Sequence, residues 1–281
     1  MQVSERAFRY VRVLSIAGSD SGGGAGIQAD LKTLSALGVF GMTAITAVTA
    51  QNTRGVTAIE GISPEVVRAQ VEAVVTDIGV NAVKIGMLHD RAIMRIVAEE
   101  LHRFRLVPVV LDPVMVASSG AALMAPEARS YMVRELFPLV TLVTPNLDEA
   151  GLLVGRSLQS VEDMCMAARE LQAMGARAVL LKGGHLQGDH VVDVWCDESG
   201  RCIQMSDPRI DTANTHGTGC TLSSAIAGYL ALGLEMGDAL HEARLYVRRA
   251  LQAGALVQTG SADNGPLNHG FAPTATRLQR R

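Results

Sequence analysis

Short apolar runs alternate with amphipathic stretches from residue 11 to residue 181, and no other feature limits the fold as strongly. Runs 11–17, 39–49, 81–85, 107–111, 139–143 and 177–181 are rich in Val, Ile and Leu and have the length of buried strands. Between them apolar residues recur at helical spacing. Ile27, Leu31, Leu34 and Leu37 mark 25–37, and Val67, Val71, Val74 and Ile78 mark 64–78. Ser63 serves as N-cap for the latter, with Pro64 in its first turn. Further helical patterns fall at 90–104, 126–136, 147–154 and 160–174, and a short extended piece at 56–60. This alternation predicts an α/β fold whose mostly parallel sheet carries helices on both faces. After Gly183 the rhythm changes. Segments 190–196 and 201–206 flank Asp197-Glu198-Ser199-Gly200 and predict a small hairpin at the sheet edge, and helices at 218–232 and 237–257 close the domain.

No linker or repeat interrupts the pattern, so we read one domain over 11–259. Residues 1–10 form an N-terminal extension, and 260–281, with little to bury, is expected to be a flexible tail. A chain of 281 residues with 48% hydrophobic content can bury a single core of this size. The formal net charge is −3 and aromatic residues make up only 4%, which leaves no basic excess for phosphate backbones and few rings for stacking bases. Nucleic acid is therefore not an expected partner. Apolar stretches such as Leu106–Leu111 are too short to cross a bilayer, and Glu5, Arg6, Arg9 and Arg12 interrupt any signal-like run, so no membrane partner is expected. Cys165, Cys196, Cys202 and Cys220 form no C-x-x-C pair and have no histidine at zinc-finger spacing, which predicts reduced cysteines and a cytoplasmic location.

Three places could carry chemistry. The first is the glycine-rich stretch Gly18–Gly26, between a strand and a helix, where backbone can approach a ligand and a helix N-terminus offers N–H groups. It contains no Walker-type G-x-x-x-x-G-K-[ST] sequence. Gly24–Ala29 fits G-x-G-x-x-[GA], but Gln51 and Asn52 stand where a dinucleotide site would want an acid. The second is Asn214–Cys220, before a helix rich in small residues. Gly217 and Gly219 can aim successive N–H groups at one point, an anion hole suited to phosphoryl transfer. Cys220 at that helix start is expected to have a stabilised thiolate, and so to be a base or nucleophile; the competing reading is a small buried hydrophobe. The third is a set of polar groups at strand ends: Asp112, then Asn146 and Glu149, then Lys182-Gly183-Gly184-His185. Together they could hold a magnesium–nucleotide, although Asn146 and Glu149 also make a capping box. Other histidines, His269 among them, are expected in surface or turn positions, and Arg244, Arg248 and Arg249 on a solvated helix face.

Taken together these segments resemble the ribokinase-like superfamily, and within it the hydroxymethylpyrimidine/phosphomethylpyrimidine kinases of thiamine biosynthesis. The resemblance spans about residues 12–256 and rests on Ile16–Lys32, Thr49–Thr53, Lys84–Leu88, Leu111–Met115, Thr144–Asn146, Lys182–His185 and Thr215–Cys220. It implies that Gln51 and Asp30 hydrogen-bond an aminopyrimidine, Gln51 through an amide that donates and accepts at once. Met87, Val48 and Val114 would pack the ring beside Gly18. Gly217, Thr218, Gly219 and Cys220 would form the anion hole, with Cys220 where sugar-kinase relatives carry an aspartate base. Asp112, Asn146 and Glu149 would organise Mg2+ and phosphates, Asp112 and Glu149 as metal ligands, and Lys182 would lie near ATP. The resemblance also implies a homodimer and a flap over 39–60. A pyridoxal kinase shares the scaffold and is the alternative enzyme; a pyrimidine-binding regulatory domain without turnover is the alternative outside enzymes.

Overall fold

The computed structural model describes residues 7–115, 124 and 126–280. In chain order the elements are β1 (Phe8–Tyr10), β2 (Arg12–Asp20), α1 (Gly26–Ala36), β3 (Phe40–Asn52), β4 (Gly55–Gly61), α2 (Pro64–Ala73), β5 (Ala82–Ile85), α3 (Arg91–Phe104), β6 (Val109–Leu111) and α4 (Pro126–Glu135). They continue with β7 (Leu142–Val143), α5 (Leu147–Val154), α6 (Val161–Ala173), β8 (Val179–Leu181), β9 (His190–Cys196), β10 (Cys202–Pro208), α7 (Thr218–Ala231), α8 (Met236–Gly254) and β11 (Leu278–Arg280). The expected 64–78 helix is present, its last turn widening to a π-helix over Val74–Ile78.

Nine strands form one sheet in the order β10-β9-β8-β7-β6-β5-β2-β3-β4. The six strands from β8 to β3 run parallel, while β4 at one edge and the β9–β10 hairpin at the other are antiparallel. Strand alternation sends successive side chains to opposite faces. Leu14, Ile16, Val83 and Ile85 pack against α2–α6, in a core that includes Val71, Met94, Met132 and Leu171. Val13, Ala82 and Val110 face α1, α7 and α8, against Leu34, Ile226 and Leu240. The chain leaves β2 towards β3 on one side and later returns to place β5 on the other. A sheet of this kind binds ligands in the crevice above such a reversal, at the carboxyl ends of the strands.

Three expectations need correction. The segment 260–280, though mostly exposed, is tied to the domain at several points: Thr274 N–H donates to Ala36 O at 2.8 Å, Arg277 N–H to Gly38 O at 2.7 Å, and β11 pairs with β1. These bonds take up backbone carbonyls at the end of α1 that have no partner within the helix. Leu267 and His269 are buried, and Tyr246 Oη donates to His269 O at 2.6 Å. The N-terminal extension ends in β1, while residues 1–6 lie outside the described residues. Finally, Cys196 and Cys202 are directly opposed across the hairpin and joined as a disulfide, where reduced cysteines were expected; Cys165 and Cys220 are free.

Candidate active site

The strand ends open into a cavity of about 780 Å³. It runs across the sheet edge from Gly18, Gln51 and Met87 at the β2–β3 side to Val191, Ile210 and Val247 near the hairpin. Of the residues singled out from sequence, Gly18, Gln51, Met87, Val114, Asp112, Asn146, Glu149, Lys182, Gly217, Thr218, Gly219 and Cys220 all line it. No Phe, Tyr or Trp does so among the described residues.

Two residues fall elsewhere. Asp30 is buried in α1 and spent on the protein itself, accepting from Lys84 Nζ at 2.9 Å on both oxygens, from Ser15 Oγ at 2.5 Å and from Ser224 Oγ at 2.7 Å. Val48 faces out, 46% exposed. The cause is a register shift between β2 and β3, where Ala17 pairs with Ile45 but Ser19 with Val48. Such a bulge resets which residues face inward. Thr49 turns into the cavity instead, donating to Ser19 O at 2.9 Å and to Gln51 Oε1 at 3.2 Å.

The first glycine loop closes on its own aspartate. Asp20 accepts the N–H groups of Gly22, Gly24 and Ala25 at 2.8, 3.0 and 2.8 Å, and its Oδ2 lies 3.3 Å from His216 Nε2. Burial opposes its charge, but the bonds from His216, Ala25 and Gly22 outweigh burial and hold its pKa below the usual range. The donors expected there for an anionic ligand are therefore occupied. Asp20 and His216 also join the first loop to the second, and Gln51 Nε2 lies 3.4 Å from the same His216 nitrogen. Both residues were inside quoted motifs, but nothing in the spacing showed that they meet.

The second loop is the open one. Gly217, which has no side chain to offer as a cap, precedes α7 with φ +81°, and among the described residues no side-chain cap bond closes the helix start. Thr218 N–H is taken by Thr215 O at 3.2 Å and Thr221 N–H by Gly217 O at 2.9 Å. This leaves Gly219 and Cys220 as the first-turn donors facing the cavity. Cys220 departs from expectation in its acidity. Burial pushes its pKa up to about 11, more than Lys84 and the Gly26 N–H pull it down, so the resting group is a thiol.

Next to Gly219, Lys182 Nζ lies 2.7 Å from Asp112 Oδ1. The capping box is present as well: Asn146 N–H donates to Glu149 Oε2 and Glu149 N–H to Asn146 Oδ1, both at 2.8 Å. Glu149 is buried, and desolvation raises its pKa to about 7 although Lys182 opposes the rise. Lys182 stays charged, its pKa lifted by Asp112 and Glu149 against the effect of burial. Arg244 and Arg248, expected in solvent, instead turn to the hairpin acids. Arg244 binds Asp193 at 2.9 Å and Asp207 at 2.7 Å, and both arginines line the cavity.

The start of α7 thus meets the lysine–carboxylate pair at the sheet's carboxyl edge: a Cβ on Gly219 would sit 3.1 Å from Lys182 Nζ and 3.4 Å from Asp112 Oδ2. The family model described as phosphomethylpyrimidine kinase matches residues 20–268. The chain belongs to the phosphomethylpyrimidine kinase family. It is 51% identical over 257 residues to the hydroxymethylpyrimidine/phosphomethylpyrimidine kinase of Rhizobium meliloti (strain 1021), covering 91% of this chain and 96% of that one. With the enzyme of the same name from Escherichia coli (strain K12) it is 44% identical over 262 residues, 93% and 98% of the two chains. Among solved structures, the Bacillus subtilis pyridoxal kinase in complex with ADP superposes with a TM-score of 0.86 at 38% identity, covering 93% of this chain and 98% of that one. The phosphomethylpyrimidine kinase of Clostridium difficile 630 gives 0.75 at 43%, covering 85% and 99%. The ribokinase-like fold expected from the sequence is thus the fold of this phosphomethylpyrimidine kinase family member.

Proposed function

We propose that the chain transfers the γ-phosphoryl group of ATP to the hydroxymethyl oxygen of 4-amino-5-hydroxymethyl-2-methylpyrimidine, and then phosphorylates the resulting monophosphate to the diphosphate, in thiamine biosynthesis. The observation that carries this reading is one cavity holding both the Gln51 amide and the uncapped α7 start at Gly219–Cys220. Gln51 would read the aminopyrimidine, with Met87, Val114 and Gly18 against the ring. With no aromatic ring among the described lining residues, the heterocycle would be held by amide, thioether and aliphatic contacts.

Lys182 and Asn146 would face the ATP phosphates. Asp112 and Glu149 fit Mg2+, which favours one or two carboxylates with phosphate oxygens and water completing the shell. When bound, the ion neutralises phosphate charge, and it would draw Glu149 to its ionised form. In the first transfer the hydroxymethyl O–H bond breaks and its proton passes to Cys220 Sγ, which serves from its thiolate fraction. The oxygen bonds to the γ-phosphorus, and the bond from phosphorus to the bridging oxygen breaks, releasing ADP. The Gly219 and Cys220 N–H groups would hold the charge on the transferring group. In the second transfer the acceptor is an ionised phosphate oxygen, so positioning and charge stabilisation suffice. We expect the enzyme to act in the cytoplasm, where ATP is made, and as a homodimer, as the family resemblance implies.

The likeness to a pyridoxal kinase keeps a second acceptor in view, since pyridoxal also presents a hydroxymethyl group on a flat ring. ADP release measured with hydroxymethylpyrimidine, its monophosphate and pyridoxal tests the assignment. The expected order of kcat/KM places both pyrimidines above pyridoxal. The reverse order would make this a pyridoxal kinase, and no turnover with any acceptor would favour a binding domain.

A further inference from the structure

Lys84 has no part in the mechanism above, yet it is fully buried in the middle of the sheet and lines the same cavity as Cys220. Its ammonium is gripped by both Asp30 oxygens at 2.9 Å. Asp30 in turn accepts from Ser224, which stands one helical turn beyond Cys220 on the same side of α7. A chain of contacts therefore runs from β5 through α1 to the helix that carries the sulfur. The backbone makes room for it: a Cβ on Gly86 would sit 2.9 Å from Lys84 Nζ and 3.0 Å from the Ala17 side chain. Among the described residues the hydrogen bonds of Lys84 go to Asp30 alone, which uses two of its three donors. Packing does not explain the pair, because apolar residues of similar volume usually stabilise a core as well or better than a buried ion pair.

We infer that Lys84 is a positioning residue for Cys220, a cation fixed by Asp30 beneath the anion-hole end of α7 that keeps the sulfur able to ionise and so to take the hydroxymethyl proton. The charges acting on Cys220 come from several elements. Lys84 on β5 favours its ionised form, and Lys182 after β8 shares the same mutual attraction; Asp30 on α1 and Asp112 after β6 oppose it, and the Gly26 N–H supports it. Of these Lys84 acts most strongly. The proton balance is that of the first transfer already given, so the inference rests on Cys220 as base in that step.

The test uses the full-length Lys84→Met protein and the Lys84→Met/Asp30→Asn double variant, which leaves no unpaired charge behind should the single variant fail to fold. The second-order rate of Cys220 alkylation by iodoacetamide, located by mass spectrometry between about pH 7 and 9, follows the thiolate fraction. We expect it to fall at least about tenfold in Lys84→Met, the equivalent of one pKa unit, and in the same direction but less in the double variant. Turnover with the hydroxymethyl acceptor should fall in parallel, while turnover with the monophosphate acceptor is largely kept. An alkylation rate unchanged or raised in a variant that still phosphorylates the monophosphate overturns the inference, as does an equal loss with both acceptors. Cys220→Ala separates the two claims. If it spares the first transfer the base assignment fails, and the alkylation rates still decide whether Lys84 governs the sulfur.

Discussion

The carbonyl oxygen of Gly24 stands 1.9 Å from where a Cβ on Gly217 would lie, and Gly217 itself has φ +81°. The two glycine loops are thus interlocked: the first, tied down by Asp20, is the surface against which the start of α7 is shaped. Gly217→Ala must move one loop or the other while also paying for a left-handed alanine, about 1–3 kcal/mol for the backbone alone. Displaced N–H donors lose transition-state charge stabilisation, so kcat should drop about 100-fold or more with either acceptor. Steady-state rates for the two acceptors check this, and a variant with normal turnover would mean the α7 start does not hold the transferring phosphoryl group.

Cys220 gives a different pattern, because only the hydroxymethyl acceptor has a proton to lose. Cys220→Ala should slow the first phosphorylation about 100-fold, within the usual range for a general base, and the second much less. Separate kcat measurements with the alcohol and the monophosphate decide the matter; equal losses would reduce Cys220 to a positioning role.

Gln51 is held by its backbone to Ser21, with bonds of 2.8 and 2.7 Å, and its side-chain amide is turned into the cavity beside Thr49 and His216. Gln51→Leu keeps the size and removes both hydrogen-bonding functions. The pyrimidine KM should rise about tenfold or more, as for losing a hydrogen bond or two to a buried group, with the ATP KM unchanged. Initial rates at varied pyrimidine and varied ATP measure both; an unaltered pyrimidine KM sinks the assignment.

His269 couples the C-terminal segment to acid stability. Its Nε2 lies 2.9 Å from Thr221 Oγ1 on α7, and burial, helped by Lys32 and His216, lowers its pKa from 6.5 to about 4. The folded protein therefore refuses a proton that the unfolded chain accepts below about pH 6.5. Stability falls as the pH drops from there towards 4, by up to about 3 kcal/mol. Urea unfolding at pH 7 and pH 5 should show this loss in the native protein and a flatter dependence in His269→Gln. Parallel profiles would show that other groups set the acid limit.

The architecture was legible because its signals are local. Helix periodicity and strand runs survive in the sequence wherever one face is buried, and the Asn146–Glu149 box marks the start of the helix at Leu147. Strand-end placement then gathered the polar residues at one edge, which is why most of the expected site lines the cavity. What failed depended on partners far away in sequence. Asp30 looks like a substrate contact until Lys84, 54 residues on, is seen to occupy it. Val48 and Thr49 exchange roles through a bulge that no composition signals. The segment after Gly260 has few apolar residues, but its backbone bonds to the end of α1 hold it in place. Cys220 at a helix start suggested a thiolate, and burial prevailed over the helix.

If one cavity phosphorylates the pyrimidine alcohol and then its phosphate, as proposed, the two products form in sequence. A time course of hydroxymethylpyrimidine with excess MgATP, followed by mass spectrometry, tests it most directly. Monophosphate should appear first and diphosphate follow from it, with two ADP released per pyrimidine at completion, one for each phosphoryl group transferred. A pyrimidine left unphosphorylated, under conditions where the same preparation phosphorylates pyridoxal, would contradict it.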